Sequence, residues 1–307
     1  MKISHSLNLA SDISVNLVVS KSLLTGFDMT TVYMESTVDS YEGNILIGSK
    51  TFRIEAVENS GYYYFTLKGL TAVNMNDRIR SVLYGSKEGQ SYYSPTDDYS
   101  IADYAYSQLE KAKASRELKI LCADLLRYGS AAQIYKGYRT DALADSTMSE
   151  SHRALLTDLE GVEFANVNRI LDDLELPEVT WVGKALDLNS KVTLRFIFHP
   201  GSYTGPIEEL RLKVRFTDHS GSMREQWVTE AQSYDSEKGR YAFDFDGLLA
   251  AELRTVVAVQ VYHGDKPLSC TMEYSPDTYG NNKKGDLLTL CKALFAYSDS
   301  AKSYFSA

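Results

Sequence analysis

Gly61-Tyr62-Tyr63-Tyr64-Phe65-Thr66-Leu67-Lys68-Gly69-Leu70-Thr71-Ala72 returns 178 positions later as Gly239-Arg240-Tyr241-Ala242-Phe243-Asp244-Phe245-Asp246-Gly247-Leu248-Leu249-Ala250. Tyr63, Phe65 and Leu67 alternate with their neighbours, as do Tyr241, Phe243 and Phe245, which is the period of a strand with one buried face. The match continues through Ile79, Leu83 and Tyr84 against Val257, Val261 and Tyr262. Upstream, Leu7, Leu9, Ile13, Val15, Leu17 and Val19 meet Leu186, Leu188, Val192, Leu194, Phe196 and Phe198 at a spacing of 179. Downstream, Leu118, Leu121, Cys122, Leu125, Tyr128, Ala132 and Tyr135 meet Leu287, Leu290, Cys291, Leu294, Tyr297, Ala301 and Tyr304 at 169, with the three- and four-residue steps of a helix face. One module is written twice, strands first and helix last.

Turn residues divide copy one into strands near 7–18, 30–38, 45–57, 61–68, 78–85 and 91–94, the first being one strand or a tight pair. Copy two yields 180–187, 191–198, 208–217, 224–232, 240–246, 255–263 and 268–274. No crossover helices lie between them, so the expected class is mainly β with C-terminal helices: two tandem antiparallel sandwiches, each followed by a packed helix or helical hairpin. Ser100 with Asp103 marks a helix start, a longer helix is expected over 116–136, and copy two carries one over 285–305. Copy two lacks the short extra helix of copy one. The domains are therefore 1–140, 179–307 and a partly helical connector, 141–178, with amphipathic runs near 150–159 and 165–174 and an end at Pro177.

A chain of 307 residues with 44% hydrophobic and 24% charged residues is ordinary for globular protein and long enough for two cores. Its net charge of −9 argues against a nucleic-acid partner, because phosphate binding draws on clustered Lys and Arg. No apolar run is long enough to span a membrane. Met1 to Leu9 do not form a signal peptide, which fits an excised fragment of a secreted protein as well as a cytoplasmic one.

Tyr99-Ser100-Ile101-Ala102-Asp103-Tyr104-Ala105, the run Leu121 to Leu126, and Tyr128-Gly129-Ser130-Ala131-Ala132-Gln133-Ile134-Tyr135-Lys136-Gly137-Tyr138 resemble the signature YSVxDYA … LVKAMLNYGAAAQxYFGY. That signature closes a module of large extracellular and cell-wall-associated proteins of gut clostridia and their relatives. Ala72 to Ile79 resemble its AKDMTDTI segment, and Trp181 to Leu188 with Lys191 to Phe198 its FVGxSLxLxSxTxIRxYF strand pair. The likeness spans nearly the whole chain, although Tyr297 to Lys302 replace the glycine-alanine run in copy two. It implies an extracellular or cell-surface setting and brings no activity with it.

Enzyme signatures are missing. The five histidines, His5, His152, His199, His219 and His263, share no metal-ligand spacing, and no phosphate loop or nucleophile elbow occurs. No catalytic residue, metal or cofactor is expected. Asp97 with Asp98, or Asp244 with Asp246, could imitate a glycosidase pair, but Asp244 and Asp246 alternate with Phe243 and Phe245 as a solvent face. Cys122 and Cys291 are matched small hydrophobes, and Cys270 has no repeat partner.

The 22 tyrosines invite a binding reading. Tyr62, Tyr64, Tyr92 and Tyr93 in copy one and Trp227, Tyr234 and Tyr274 in copy two are the candidate ligand contacts, because flat aromatic faces suit sugar rings. Tyr62 and Tyr64 are the most telling, since Tyr63 and Phe65 already fill the inward face. The expected function is a non-catalytic surface module acting as a spacer or protein-interaction domain, with carbohydrate or cell-wall-polymer binding as the alternative. The expected partners are accordingly other surface proteins or a polysaccharide.

Overall fold

The computed structural model describes residues 3–8, 13–188 and 192–307. Leu9, residues 9–12 of the first expected strand, and Lys191 lie outside the described residues. The chain forms two compact units, Met1–Thr157 and Asp158–Ala307. No helix among the described residues is long and apolar enough to cross a membrane.

Unit one contains β1 (Ser4–Asn8), β2 (Ile13–Ser20), β3 (Asp28–Glu42), β4 (Ile45–Glu55), β5 (Val57–Asn59), β6 (Tyr62–Leu70), β7 (Ile79–Lys87), β8 (Gln90–Tyr93) and β9 (Asp97–Tyr99). They form two antiparallel sheets, β1-β2-β6-β5 and β4-β3-β7-β8, with β9 also on β7. Alternation turns Leu17, Val19 and Phe65 of the first sheet toward Val32, Met34 and Leu83 of the second, and these buried side chains form one core. Each such side chain contributes roughly 1.5–3 kcal/mol by leaving water.

Three helices follow: α1 (Ile101–Glu110), α2 (Arg116–Lys136) and α3 (Glu150–Arg153). Ser100 and Ser115 cap the first two by accepting the N–H of Asp103 and Leu118, each at 3.1 Å. α2 ends at Gly137, whose φ of 63° is the left-handed conformation that glycine adopts without strain. Its small residues let it sit against the 3-10 turn Ala72–Asn76: a Cβ on Gly129 would lie 2.4 Å from Met75 Cγ. Beside that contact Asp77 is buried, its carboxylate accepting from Tyr138 Oη at 2.6 Å, Asn74 Nδ2 at 2.7 Å and Arg139 at 3.2 Å. Burial raises the Asp77 pKa against these bonds.

Unit two repeats the plan. Its strands are β10 (Asn168–Ile170), β11 (Thr180–Leu188), β12 (Val192–His199), β13 (Leu210–Thr217), β14 (Met223–Val228), β15 (Gln232–Asp235), β16 (Arg240–Phe245), β17 (Val257–His263), β18 (Lys266–Pro267) and β19 (Met272–Tyr274). The sheets run β11-β12-β16-β15 and β10-β19-β17-β13-β14, with β18 on β17. The order β11-β12-β16-β15 reproduces β1-β2-β6-β5, and β14-β13-β17 reproduces β4-β3-β7. Phe196, Phe198 and Phe243 are fully buried, and Phe216 reaches Phe245 across the layers at 5.9 Å. α4 (Gly285–Phe305) takes the place of α2. Where copy one has α1, copy two has the 3-10 helix Pro276–Asn282.

The span 141–178, expected to be a connector, is shared out between the units. Asp145 accepts from Ser130 Oγ and Asp124 from Thr157 Oγ1, both at 2.6 Å, so this part is bound to α2. The run near 150–159 is helical only over α3, after which the chain turns to make the Thr157 bond. The run near 165–174 is not helical. It includes β10, because Asn168, Arg169 and Ile170 pair with Tyr274, Glu273 and Met272, and an open sheet edge offers ladder bonds that a short isolated helix cannot match.

Candidate functional site

A row of aromatic side chains lies on the outer face of the sheet around β3 and β7. Register sets Tyr33 on β3 opposite Tyr84 on β7, and Tyr84 opposite Tyr93 on β8. The Tyr33 and Tyr84 rings stack at 5.1 Å, and the Arg53 guanidinium on β4 lies 3.8 Å above Tyr33. Tyr93 ends the row 78% exposed. Tyr92 alternates to the other side, edge-on to Phe27 at 5.5 Å. Around them lies a cleft of about 190 Å³, lined by Leu24, Phe27, Tyr84, Tyr92, Tyr93 and Pro95. Its walls suit an apolar ring.

Unit two carries a related cluster with its members exchanged. Tyr262, the repeat equivalent of Tyr84, meets Trp227 at 5.3 Å, and Arg211 lies 4.8 Å from the Trp227 ring. Arg211 pairs with Tyr262 as Tyr33 pairs with Tyr84, and Trp227 pairs with Lys213 as Arg53 pairs with Glu35. In copy one the ring is on the central strand and the cation on the edge strand; in copy two the reverse holds. Lys213 adds a second cation at 5.4 Å from Trp227. The indole therefore already has cations against it and is less free to take a sugar ring than its 40% exposure suggests.

The remaining sequence candidates are dispersed. Tyr62 is 47% exposed on the outer face of the other sheet of unit one, and Tyr64, half-buried, stands between Val18 and Val57. Tyr62 and Tyr64 thus lie on a different layer from Tyr92 and Tyr93. Tyr234 is exposed at the irregular point where β15 meets β16. Tyr274 is a correction: it is buried at 2% exposure, because β19 turns Met272 and Tyr274 inward and leaves Glu273 outward. Burial raises its phenol pKa, and Tyr274 is core. Sequence reading missed Tyr33, Arg53, Tyr84, Arg211, Lys213 and Tyr262. The Tyr84 and Tyr262 repeat match, at non-inward strand positions, was the available signal.

The acids are engaged elsewhere. Asp97 bonds His5 and Asp98 bonds Arg78, each at 2.7 Å, and Asp244 makes two 2.7 Å bonds to Arg195. Asp218 accepts from Ser220, Ser222 and Arg224, led by the Ser220 hydroxyl, which holds it well below the usual carboxylate range. His219 turns to Glu252 at 3.0 Å. Burial pushes the Cys122 thiol up to about 12 and Cys291 to about 11, so both are protonated packing groups at neutral pH. Among the described residues no group of three or more His, Cys, Asp or Glu is placed to hold a metal ion. No protein-family model matches the chain, and no curated protein matches it.

Proposed function

We propose that the chain is a non-catalytic extracellular module that spaces or presents neighbouring domains and engages another surface protein through unit one. The supporting observation is the tip of the β3–β4 hairpin. Ile45, Leu46 and Ile47 are 71%, 55% and 62% exposed, and β4 is the edge of its sheet. An edge strand that ends in an apolar run exposes unpaired backbone groups and greasy side chains together, and natural proteins usually blunt such edges. The equivalent edge β14 is shorter; both edges carry charge, Lys50, Arg53 and Glu55 on β4 and Arg224 and Glu225 on β14, but only β4 begins with a run of three exposed apolar side chains. An extended segment of a partner added to β4 would satisfy both features of the edge.

A photo-crosslinker in place of Leu46, with the protein displayed on cells of its source, tests this reading. The expected result is one discrete crosslinked protein, lost when Ile45 and Ile47 become serine. Crosslinks that survive those substitutions, or none at all, would refute it. Carbohydrate binding is the second reading, favoured by the Tyr92 and Tyr93 cleft. Affinity electrophoresis through neutral polysaccharide gels should then show retardation that Tyr93→Ala abolishes.

A further inference from the structure

We infer that the outer face of β13 in unit two is a binding site for an anionic polysaccharide, one bearing carboxylate or sulfate groups at regular intervals. Alternation places Arg211, Lys213 and Arg215 on this face, and residues two apart along a strand stand about 6.6 Å from one another. The row lies on a chain of net charge −9, and the equivalent positions in copy one are Tyr33, Glu35 and Thr37. The central strand of this sheet therefore carries a basic row in one copy only.

The row is partly neutralised and partly free. Lys213 pairs with Glu225 at 2.9 Å. Arg211 donates one N–H to the Gly264 carbonyl at 2.7 Å, and among the described residues no carboxylate lies within ion-pair distance of it. Arg215 is exposed, with Glu225 opposite it in register but paired with Lys213, and Asp173, the other acid near it, already accepts the Thr271 N–H at 2.8 Å. Farther across the sheet, Arg169 on β10 and Glu273 on β19 pair with each other. Trp227 holds Arg211 by a cation–ring contact, and the guanidinium N–H groups not engaged by Gly264 are left to donate to an oxyanion.

A polysaccharide fits this face better than a peptide does. β13 is central, paired on both sides with β14 and β17, so its backbone offers no free groups to an added strand. Recognition must come from side chains, here cations at a regular spacing beside an indole and a phenol. The site is independent of the β4 edge, so its failure would leave the protein-interaction proposal untouched.

Affinity electrophoresis of the full chain tests the inference in gels containing polygalacturonate, its methyl ester, dextran sulfate or poly-L-glutamate. Retardation is expected with polygalacturonate or dextran sulfate and not with the ester, and it should vanish in half-molar salt. Arg211→Ser with Arg215→Ser should weaken it about tenfold or more, and Glu225→Gln, which releases Lys213, should strengthen it about threefold. Arg215→Ser alone changes an exposed side chain and should weaken it severalfold with a melting temperature nearly unchanged. Absence of retardation by both anionic polysaccharides would overturn the site. So would equal retardation by poly-L-glutamate, or wild-type mobility of the double variant.

Discussion

Units one and two share a strand order and differ in where they place charge. At the corner before β7, unit one buries the acid Asp77, met by Tyr138 and Arg139 from the end of α2. At the corner before β17, unit two places the base Arg254, which makes 2.7 and 2.9 Å bonds to Asp299 on α4 and a 3.1 Å bond to Asp277. The outer clusters are exchanged in the same way, Tyr33 with Arg53 against Arg211 with Trp227. Complementarity between facing elements is retained while the sign on each is free. The duplicated fold is thus specified by pairing and packing rather than by any one charged residue.

The largest effect that could break this comparison is at the buried corner. Asp77→Ala leaves Tyr138 without its acceptor and Arg139 with only the Asn76 carbonyl, and should cost unit one about 3 kcal/mol in calorimetry of the whole chain. Thr255→Val at the equivalent position of unit two removes one hydroxyl bond to the Thr217 carbonyl and should cost about 1 kcal/mol. Equal losses would refute the asymmetry.

Next comes the helix contact. Gly129→Ser would drive a Cβ into Met75 and should destabilise unit one by about 1–3 kcal/mol. The equivalent residue of α4 is already a buried serine, Ser298, and Ser298→Gly should cost only about 1 kcal/mol through chain entropy.

Acid sharpens the contrast. The folded pKa of Asp77 is raised, so as pH falls through it the fold takes up a proton before the unfolded chain does, and this residue's contribution to unit one improves. The folded pKa of Asp218 is lowered, so its contribution to unit two is full above the unfolded value near 4 and is lost as pH falls toward the folded one. Between pH 5 and 3 the unit-two transition should fall relative to unit one, and Asp218→Asn should flatten that difference. A unit-one transition that falls faster, with Asp218→Asn inert, would contradict it.

The smallest effects are on the surface. Arg53→Ala and Arg211→Ala each remove one cation from a ring and should cost about 0.5–1 kcal/mol in denaturant unfolding. Serine at Ile45 and Ile47 should change stability by less than about 0.5 kcal/mol, because those side chains are mostly exposed in the isolated chain.

Much of this was readable from residue order. The alternating strands, the duplication and the spans 116–136 and 285–305 of α2 and α4 all follow from local periodicity, and Ser115 and Gly137 mark the ends of α2 by their own chemistry. The candidate site was less legible. Tyr62 and Tyr93 were named as candidate contacts and are exposed in the structure, but Tyr274, named beside them, is core, since a three-residue strand carries too little alternation to reveal which face is inward.

The sequence alone determined that two copies of a β-rich module are present, each closed by a helix, because hydrophobic period and caps are properties of neighbouring residues. Only tertiary structure decided that 168–170 joins a sheet, that Arg53 sits over Tyr33, and that Arg211, Lys213 and Trp227 share a face. Those relations depend on strand register between segments far apart in the chain, and a slip of one residue would send every side chain to the opposite face.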